Sequence, residues 1–242
     1  MKRGRFLEDV WDSVKAAHVL GDQHGVLKWE GSILDELLEH LTEHADCELL
    51  LKAYLAANTR STNSQPTHRE RHAETEIAEI RLRERHAELL GKMELFRDQG
   101  EEICQCGTIC ASNGQRQHAE VYFRKARDIG AAHGLFLLES KACTGLGESA
   151  ASEGRHEEGL ELLRNSVVAA RLSESDELKH EMLALLPLIA MLFEASAIGE
   201  VEPLVLRFRE VSFRIDIRMD SIGDIMCELH ALFFNARLHE VL

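Results

Sequence analysis

Residues His40, Glu43 and His44 have types and a spacing that could hold a metal ion. They form an H-x-x-E-H pattern, in which two histidines one helical turn apart can bind zinc while the glutamate acts as a base. No downstream signature supplies a third ligand, and a chain with 13 histidines and 42 acidic residues can produce such a short match by chance. We therefore interpret the segment as an exposed helix end and predict no metal site there.

The elements that would position functional side chains are set by an internal repeat. The segment ASNGQRQHAEVYFRKA, with Gly114, is followed 40 residues later by ASEGRHEEGLELLRNS, with Gly154. When the two glycines are aligned, large apolar and small residues alternate at helical spacing on both sides, which is typical of two closely packed helices joined by a glycine turn. The aligned core positions are Cys106, Gly107, Ala119, Phe123 and Ala126 in the first copy, and Leu146, Gly147, Gly159, Leu163 and Ser166 in the second.

This pattern resembles the tetratricopeptide repeat (TPR), in a longer variant of roughly 40 residues per unit. A third unit is predicted with Gly199 as its turn glycine, 45 residues after Gly154, and with Leu192 at the position of Gly107 and Gly147. The resemblance implies an all-α fold of antiparallel helix pairs stacked into a right-handed α-solenoid, a TPR-like superhelix. In this family the first helix of each pair lines a concave groove that binds peptides.

Transferring the family's groove positions to this sequence predicts nine partner-binding residues. They are polar in the first two units and apolar in the third, so the resemblance implies a protein or peptide partner with basic and hydrophobic parts. Domains of this family that take chaperone C-termini clamp a carboxylate with Lys and Asn, whereas this groove offers only Lys141, which argues against that role. An alternative for the apolar end is that the segment after Met219 covers it. The predicted groove residues are Glu101, Cys104, Thr108, Lys141, Thr144, Glu148, Leu186, Ile189 and Phe193.

The same register assigns the cysteines near the repeat. Two thiolates four residues apart could share a cation, but Cys106 and Cys110 occupy packed positions of the repeat, where free cysteine behaves as a small apolar residue. Only Cys104 is expected to face the groove. His68 and His72 lie beside arginines and are interpreted as part of a solvated helix face. We accordingly predict no metal and no cofactor.

Composition argues against several classes of function. A net charge of −14 makes binding to nucleic-acid phosphates unfavourable. No apolar run reaches the roughly 18 residues needed to span a membrane, and the N-terminus lacks the apolar run of a signal peptide. Six cysteines without even spacing favour reduced thiols. We expect an acidic, cytoplasmic protein that contacts neither nucleic acid nor membrane.

Composition also divides the chain into four parts. They are predicted to be degenerate helix pairs at 1–58, a loop or hinge at 59–67, a long charged helix at 68–98 and one array of TPR-like helical repeats at 99–242. The last helix stops where a partner helix should begin, which would leave Phe233, Phe234 and Leu238 poorly covered. We therefore predict either a fragment of a longer chain or an apolar end that contacts a partner or, by self-association, a second copy of the chain.

Two function hypotheses follow. The sequence has no Gly-rich phosphate loop, G-x-S-x-G, C-x-x-C or dinucleotide fingerprint, so it favours a protein other than an enzyme. The first hypothesis is a protein–protein interaction scaffold or adaptor that binds its partner in the groove. The alternative is a regulatory sensor whose helical array responds to a small peptide or a metal.

Overall fold

A computed structural model of the chain describes residues 47–48, 69–173 and 178–214, with the backbone alone for 69–75, 198 and 213. From residue 69 onwards, these ranges form helices joined by turns, which confirms the predicted all-α class. The helices are α1 (Arg69–Lys92), α2 (Phe96–Ser112), α3 (Arg116–His133), α4 (Phe136–Ser152), α5 (His156–Leu172), α6 (Leu178–Glu194) and α7 (Ile198–Arg214). None of these helices is long and apolar enough to cross a membrane.

One kind of turn recurs between the helices. A residue with left-handed backbone conformation occurs at positions 94, 114, 134 and 154, at intervals of 20 residues. After Gly154, the Arg155 N–H donates to Ala150 O at 2.9 Å and thereby closes the end of α4. The carbonyl of Arg155 then accepts a hydrogen bond from Gly159 N–H at 2.9 Å, which begins α5. Since the turn needs only three residues, the helices it joins as the pairs α1–α2, α3–α4, α4–α5 and α6–α7 are antiparallel, as in a tetratricopeptide pair.

The structure corrects the register of the third unit. Its left-handed residue is Ser196, with φ 56°, whereas Gly199 is the second residue of α7. The unit is therefore 42 residues long rather than 45, and every position aligned on Gly199 moves by three residues. Ile189, and not Leu192, stands at the position of Gly147. The error has a physical reason, because the left-handed conformation costs a non-glycine residue only about 1–2 kcal/mol and so does not require glycine.

Two predicted boundaries also differ from the structure. The helix predicted at 68–98 ends at Lys92, and residues 96–98 begin α2 instead. The chain divides into the compact units Met1–Asn113 and Gly114–Leu242, so the division falls inside the array predicted at 99–242. The helix pairs predicted at 1–58, apart from residues 47–48, the loop at 59–67 and the C-terminal residues Phe233, Phe234 and Leu238 lie outside the described residues.

In the second compact unit, Gly114–Leu242, small residues let neighbouring helices approach closely. A Cβ atom added to Gly147 of α4 would lie 2.7 Å from Leu163 Cγ and 3.1 Å from Gly159 O, both on α5. One added to Gly145 would lie 2.5 Å from the ring of Phe123 on α3. Gly147, predicted as a small core position, therefore accommodates a large neighbour, and the structure adds Gly145 as a second such position. The predicted core residues Ala119, Phe123, Ala126, Leu146, Leu163 and Ser166 are buried.

The same compact unit also contains a core of larger side chains between α5, α6 and α7. Its fully buried members include Leu185, Ile189, Leu192 and Phe208. In addition, α4 packs directly against α6, so the first helices of two successive pairs are neighbours. The second helices, α5 and α7, are linked by an exposed ion pair between Arg164 Nη2 and Glu200 Oε2 at 2.7 Å.

Exchanging residues at the left-handed positions should change stability in opposite directions. Ser196→Gly should raise the free energy of unfolding by up to about 1 kcal/mol, because glycine adopts this conformation without steric cost. Gly154→Ala should lower it by about 1–2 kcal/mol. An added Cβ at Gly154 meets no atom within 4 Å, so the loss would come from the backbone alone. Urea denaturation measures both effects, and equal values for the two variants would contradict this account of the turns.

The close helix contact gives a second prediction. In Gly159→Ala the new methyl group would lie 3.0 Å from Gly147 O and 2.8 Å from Met191 Cε. Since backbone cannot move aside as a flexible side chain does, the helices must separate, and we expect a loss of about 1–3 kcal/mol. The matched control is Gly199→Ala in α7, where a Cβ meets no atom within 4 Å and alanine favours the helix. Denaturation midpoints that fall equally in both variants would refute the packing explanation.

Candidate functional site

In the second unit, α4 and α6 present a shared face. Both are antiparallel to α5, which connects them in sequence, so they run parallel and their C-terminal ends meet at one edge. When Gly154 and Ser196 are aligned, Lys141, Thr144 and Glu148 of α4 correspond to Leu183, Leu186 and Ala190 of α6. We call this surface the α4–α6 face, and its residues are Lys141, Thr144 and Glu148 on α4 with Leu183, Leu186, Pro187 and Ala190 on α6.

Of the predicted groove residues in the second compact unit, Lys141, Thr144, Glu148 and Leu186 lie on this face, whereas Ile189 and Phe193 do not. Glu148 is exposed, and Lys141 and Thr144 are half-buried. In the third repeat, Leu186 and Phe193 are half-buried and pack against the core. Placing Ile189 in the groove was wrong, because its exposed fraction is 0%.

The remaining predicted groove residues belong to the first compact unit, Met1–Asn113. Glu101 is half-buried and Thr108 is exposed. The prediction that Cys104 faces the groove is wrong, since only 6% of this residue is exposed. A free thiol packs as a small apolar group, which explains its burial. The candidate site is therefore built from the second unit alone.

Thr144 is held by hydrogen bonds within the unit. Its hydroxyl donates to Ser140 O at 3.1 Å and lies 2.7 Å from Ser166 Oγ on α5. Ser166 in turn donates to Ser140 O at 2.9 Å. These hydrogen bonds join α4 to α5, so the hydroxyl group of Thr144 helps to hold the helix pair together.

Glu148 is the distinctive charge of the face. Its side chain is exposed, yet the surrounding protein displaces enough water to raise the pKa of its carboxyl group. Exposure combined with partial desolvation is expected of a residue on the floor of a concave surface. Among the described residues, none forms an ion pair or a hydrogen bond with the Glu148 side chain. A carboxylate in this setting favours a cationic ligand.

The opposite wall of the face is apolar and contains an irregular helix segment. Leu183 is 54% exposed, and Leu186 and Ala190 continue the apolar row towards the end of α6. Pro187 lies inside this helix. Because proline has no backbone N–H, the regular hydrogen bond to the carbonyl of Leu183 is missing. The wall therefore combines exposed apolar surface with a backbone acceptor that lacks its usual donor.

The C-terminal edge of the face is negative. Glu148 lies one turn before the end of α4, and Glu194, also exposed, is the last residue of α6. Parallel helices place the negative ends of their dipoles at the same edge, which adds to these two charges. The field therefore attracts cations to this edge.

The described residues do not support the metal patterns. No three His, Cys, Asp or Glu side chains converge within the described ranges. Cys106 and Cys110 are buried, as predicted, and burial raises the pKa of Cys106 to about 12. The Cys106 thiol lies 3.8 Å from Ile80 O, to which it donates. The pattern at positions 40–44 lies outside the described residues, as do the side chains of His68 and His72.

Sequence reasoning missed a buried ion-pair network around Glu181. Its carboxylate accepts hydrogen bonds from Arg207 Nη2 and Arg171 Nε, both at 2.7 Å. Burial opposes ionisation of Glu181, but the bonds from Arg207 and Arg171 outweigh it and lower the pKa. Nine residues separate Glu181 from Ala190, so it lies on the opposite side of α6 from the face. An acidic residue within an apolar helix was the available signal, and it indicates a structural anchor between α5, α6 and α7.

A second missed network lies in the first unit. Glu102 of α2 accepts from Arg83 Nη1 at 2.7 Å and lies 3.2 Å from His86 Nδ1, both on α1. Burial would raise the pKa of Glu102, but the contacts with His86 and Arg83 lower it overall. Arg83 Nε also donates to Glu79 Oε1 at 2.9 Å. Glu79 and Arg83 have the i,i+4 spacing of a helix-surface ion pair, and the bond from Arg83 to Glu102 makes this pair part of the contact between α1 and α2.

Comparisons with known proteins do not identify a family for this chain. No protein-family model and no curated protein matches the chain. Among solved structures, BtubC (BKLC) from P. vanneervenii is similar at 12% identity and a TM-score of 0.45, covering 90% of this chain and 94% of its own. Two structures of a Podosopora anserina kinesin light chain candidate with nearly identical TPR-like repeats are each 15% identical to this chain. Their TM-scores are 0.49 and 0.48, and they cover 89% and 88% of this chain and 98% and 97% of their own. Because these scores are below 0.5, the TPR-like assignment rests on the turns and packing described above.

Neutralising Glu148 should stabilise the free protein. Its pKa is raised above the ordinary value of 4.5, so ionisation costs stability at neutral pH, and the cost disappears as the pH falls below that value. Glu148→Gln should therefore raise the melting temperature at pH 7 and give no gain near pH 4. Glu161→Gln on α5, which removes an exposed carboxylate elsewhere, is the control. Thermal scans across this pH range would contradict the interpretation if the two variants behaved alike.

Proposed function

We propose that this protein is an interaction scaffold whose α4–α6 face binds a segment of a partner protein with basic and hydrophobic parts. TPR-like repeats are typical of protein–protein interaction, because stacked helix pairs create extended concave surfaces. The observation that carries the proposal is Glu148, an exposed carboxylate without an ion-pair partner among the described residues, opposite a row of exposed apolar side chains.

The two walls of the face would contribute differently to binding. Covering Leu183, Leu186 and Ala190 removes apolar surface from water, which supplies affinity. The charge of Glu148 would select and orient a basic residue, since complementary charge contributes more to specificity and association rate than to affinity. An amphipathic basic segment meets both requirements.

The described residues favour no second function. The sensor hypothesis has a small peptide or a metal as the signal and clusters of His and Cys as the trigger. The described cysteines are buried, and the His clusters lie outside the part of the chain whose side chains the structure describes. Helical repeats of this kind are typically non-enzymatic scaffolds. The interaction scaffold is therefore the single function that we propose for this protein.

A selection from a random peptide library tests the proposed face. The immobilised protein is challenged with displayed peptides of 12 random residues, and the recovered sequences are compared with those from a Glu148→Lys, Leu183→Asp variant. We expect the unmodified protein to enrich peptides that combine Arg or Lys with Leu, Ile or Phe. The variant should lose these peptides, because it reverses the charge and makes the apolar wall polar.

The matched control changes the same residue types elsewhere in the second unit. Glu161→Lys on α5 and Leu206→Asp on α7 alter an exposed glutamate and a leucine that is 59% exposed, compared with 54% for Leu183. Peptides that bind the control as well as the unmodified protein locate the site on the α4–α6 face. Enriched peptides without basic residues, or peptides that bind equally to the site variant, would refute the proposal.

A further inference from the structure

Resting on the proposed function, the charges of the α4–α6 face point to a partner segment that carries an acidic side chain as well as a basic one. We propose that the basic group lies at Glu148 and the acidic group at Lys141, about 10 Å apart, with apolar side chains between them against α6. The partner is thereby narrowed from any basic and apolar segment to one of mixed charge. A segment with basic groups at both positions is disfavoured.

The direction of α6 is fixed by its contacts at both ends of α5. Near the C-terminal end of α5, Arg171 Nε donates to Glu181 Oε1 at 2.7 Å, and Glu181 belongs to the first turn of α6. Near the N-terminal end of α5, a Cβ atom added to Gly159 would lie 2.8 Å from Met191 Cε, close to the end of α6. The two helices are therefore antiparallel. Since α4 is also antiparallel to α5, the N-terminal ends of α4 and α6 share one edge of the face.

The two charges of α4 lie on one row of the helix. Seven residues separate Lys141 from Glu148, which is nearly two full turns, so their side chains leave α4 on the same side and about 10 Å apart along its axis. Glu148 is exposed and Lys141 is half-buried, whereas Ala142 and Gly147, on either side of the row, are buried. The row is therefore narrow, and its charge changes from positive to negative towards the C-terminal edge.

The wall opposite this row is uncharged. Leu183, Leu186 and Ala190 occupy the positions of α6 that correspond to the row from Lys141 to Glu148. All three are apolar, and each is exposed or half-buried. A ligand that spans the two charges of α4 therefore covers apolar surface on α6, which supplies affinity without preference for either sign of charge. The charges of α4 are left to decide the charges of the ligand.

The ends of α6 repeat the order of charge found on α4. Lys179 is its second residue and Glu194 its last, and both are exposed. They lie one turn before and three turns after Leu183, and thus on its side of the helix. The helix dipole favours the reverse order, so the stability of α6 does not explain this one. Because three acidic residues of the segment 174–177 precede Lys179 in the sequence, the experiment is directed at Lys141.

Opposite charges in one row discriminate between ligands by repulsion as well as by attraction. A mixed-charge segment forms an attractive pair at Lys141 and another at Glu148. A dibasic segment keeps the attraction at Glu148 but places like charges together at Lys141, and such repulsion is an effective source of specificity. Exposed charge pairs contribute modestly in water, so we expect a difference in affinity of about fivefold.

Four synthetic peptides test the charge requirement. Each has the form acetyl-X-Ala-Ala-Leu-Leu-Ala-Ala-Z-amide, in which X and Z are Arg and Glu in either order, two Arg or two Glu. A helical peptide of this length holds the two charges about 10 Å apart. Binding to the full chain is followed by the NMR shifts of the α4 and α6 backbone amides. We expect the better of the two mixed-charge peptides to bind about fivefold more tightly than the dibasic peptide.

Variants of Lys141 test its role directly. Lys141→Glu makes both charges of the row negative, so the preference should pass from the mixed-charge peptides to the dibasic one. Lys141→Gln should bring the two affinities close together. Lys125→Glu is the matched control, because it changes the charge of an exposed lysine of α3 in the same compact unit, outside the face. Each result is a ratio of affinities for one protein sample, so a smaller folded fraction does not alter it.

The outcomes separate this inference from the proposed function. A dibasic peptide that binds the unmodified protein as tightly as the mixed-charge peptides overturns the mixed-charge partner and leaves the scaffold proposal intact. An unchanged preference in Lys141→Glu, or the same change of preference in Lys125→Glu, overturns the role of Lys141. Absence of binding by all four peptides overturns the inference even where peptides selected from the library bind the face.

Discussion

The structure depends on a backbone turn in which one left-handed residue both ends a helix and begins the next. At Gly154 the following residue donates to the carbonyl of Ala150 and accepts from the N–H of Gly159. No side-chain cap is required, so the turn tolerates many sequences. Because it recurs at nearly constant intervals, helices of similar length reverse direction at the turns within each compact unit. The parallel alignment of α4 with α6, and with it the candidate face, follows from this spacing.

Packing then decides which residues of the face remain available to a ligand. Gly147 and Gly159 bring the backbones of α4 and α5 together, and the hydroxyl group of Thr144 is drawn into the same contact through Ser166. On α6, large side chains replace the small ones, and Ile189 fills the position of Gly147 with buried apolar volume. The remaining exposed features are one carboxylate, an apolar row and an interrupted backbone ladder.

The sequence predicted the elements better than it predicted the third unit of the repeat. Gly154 was recognised because glycine is the residue that adopts a left-handed turn without cost. Ser196 adopts the same conformation without any comparable signal, and the nearby Gly199 attracted the alignment instead. The resulting shift of three residues, nearly one helical turn, placed Ile189 in the groove. Glu148 is exposed, and its role in the groove stays a prediction. The ion pair of Glu181 with a residue 26 positions away follows no local period, so the sequence did not indicate it.

Glu148 and Glu181 show how the same residue type has two different roles in neighbouring helices. Glu181 is buried, and hydrogen bonds from two arginines lower its pKa despite the burial, so its charge is compensated within the fold. Glu148 is exposed, its pKa is raised, and no described residue compensates its charge. Folding alone explains the first arrangement, since a buried carboxylate needs cationic partners. It does not explain the second, because an uncharged side chain at position 148 would make the isolated fold more stable. Under the proposed function, a cationic group of the partner would compensate this charge.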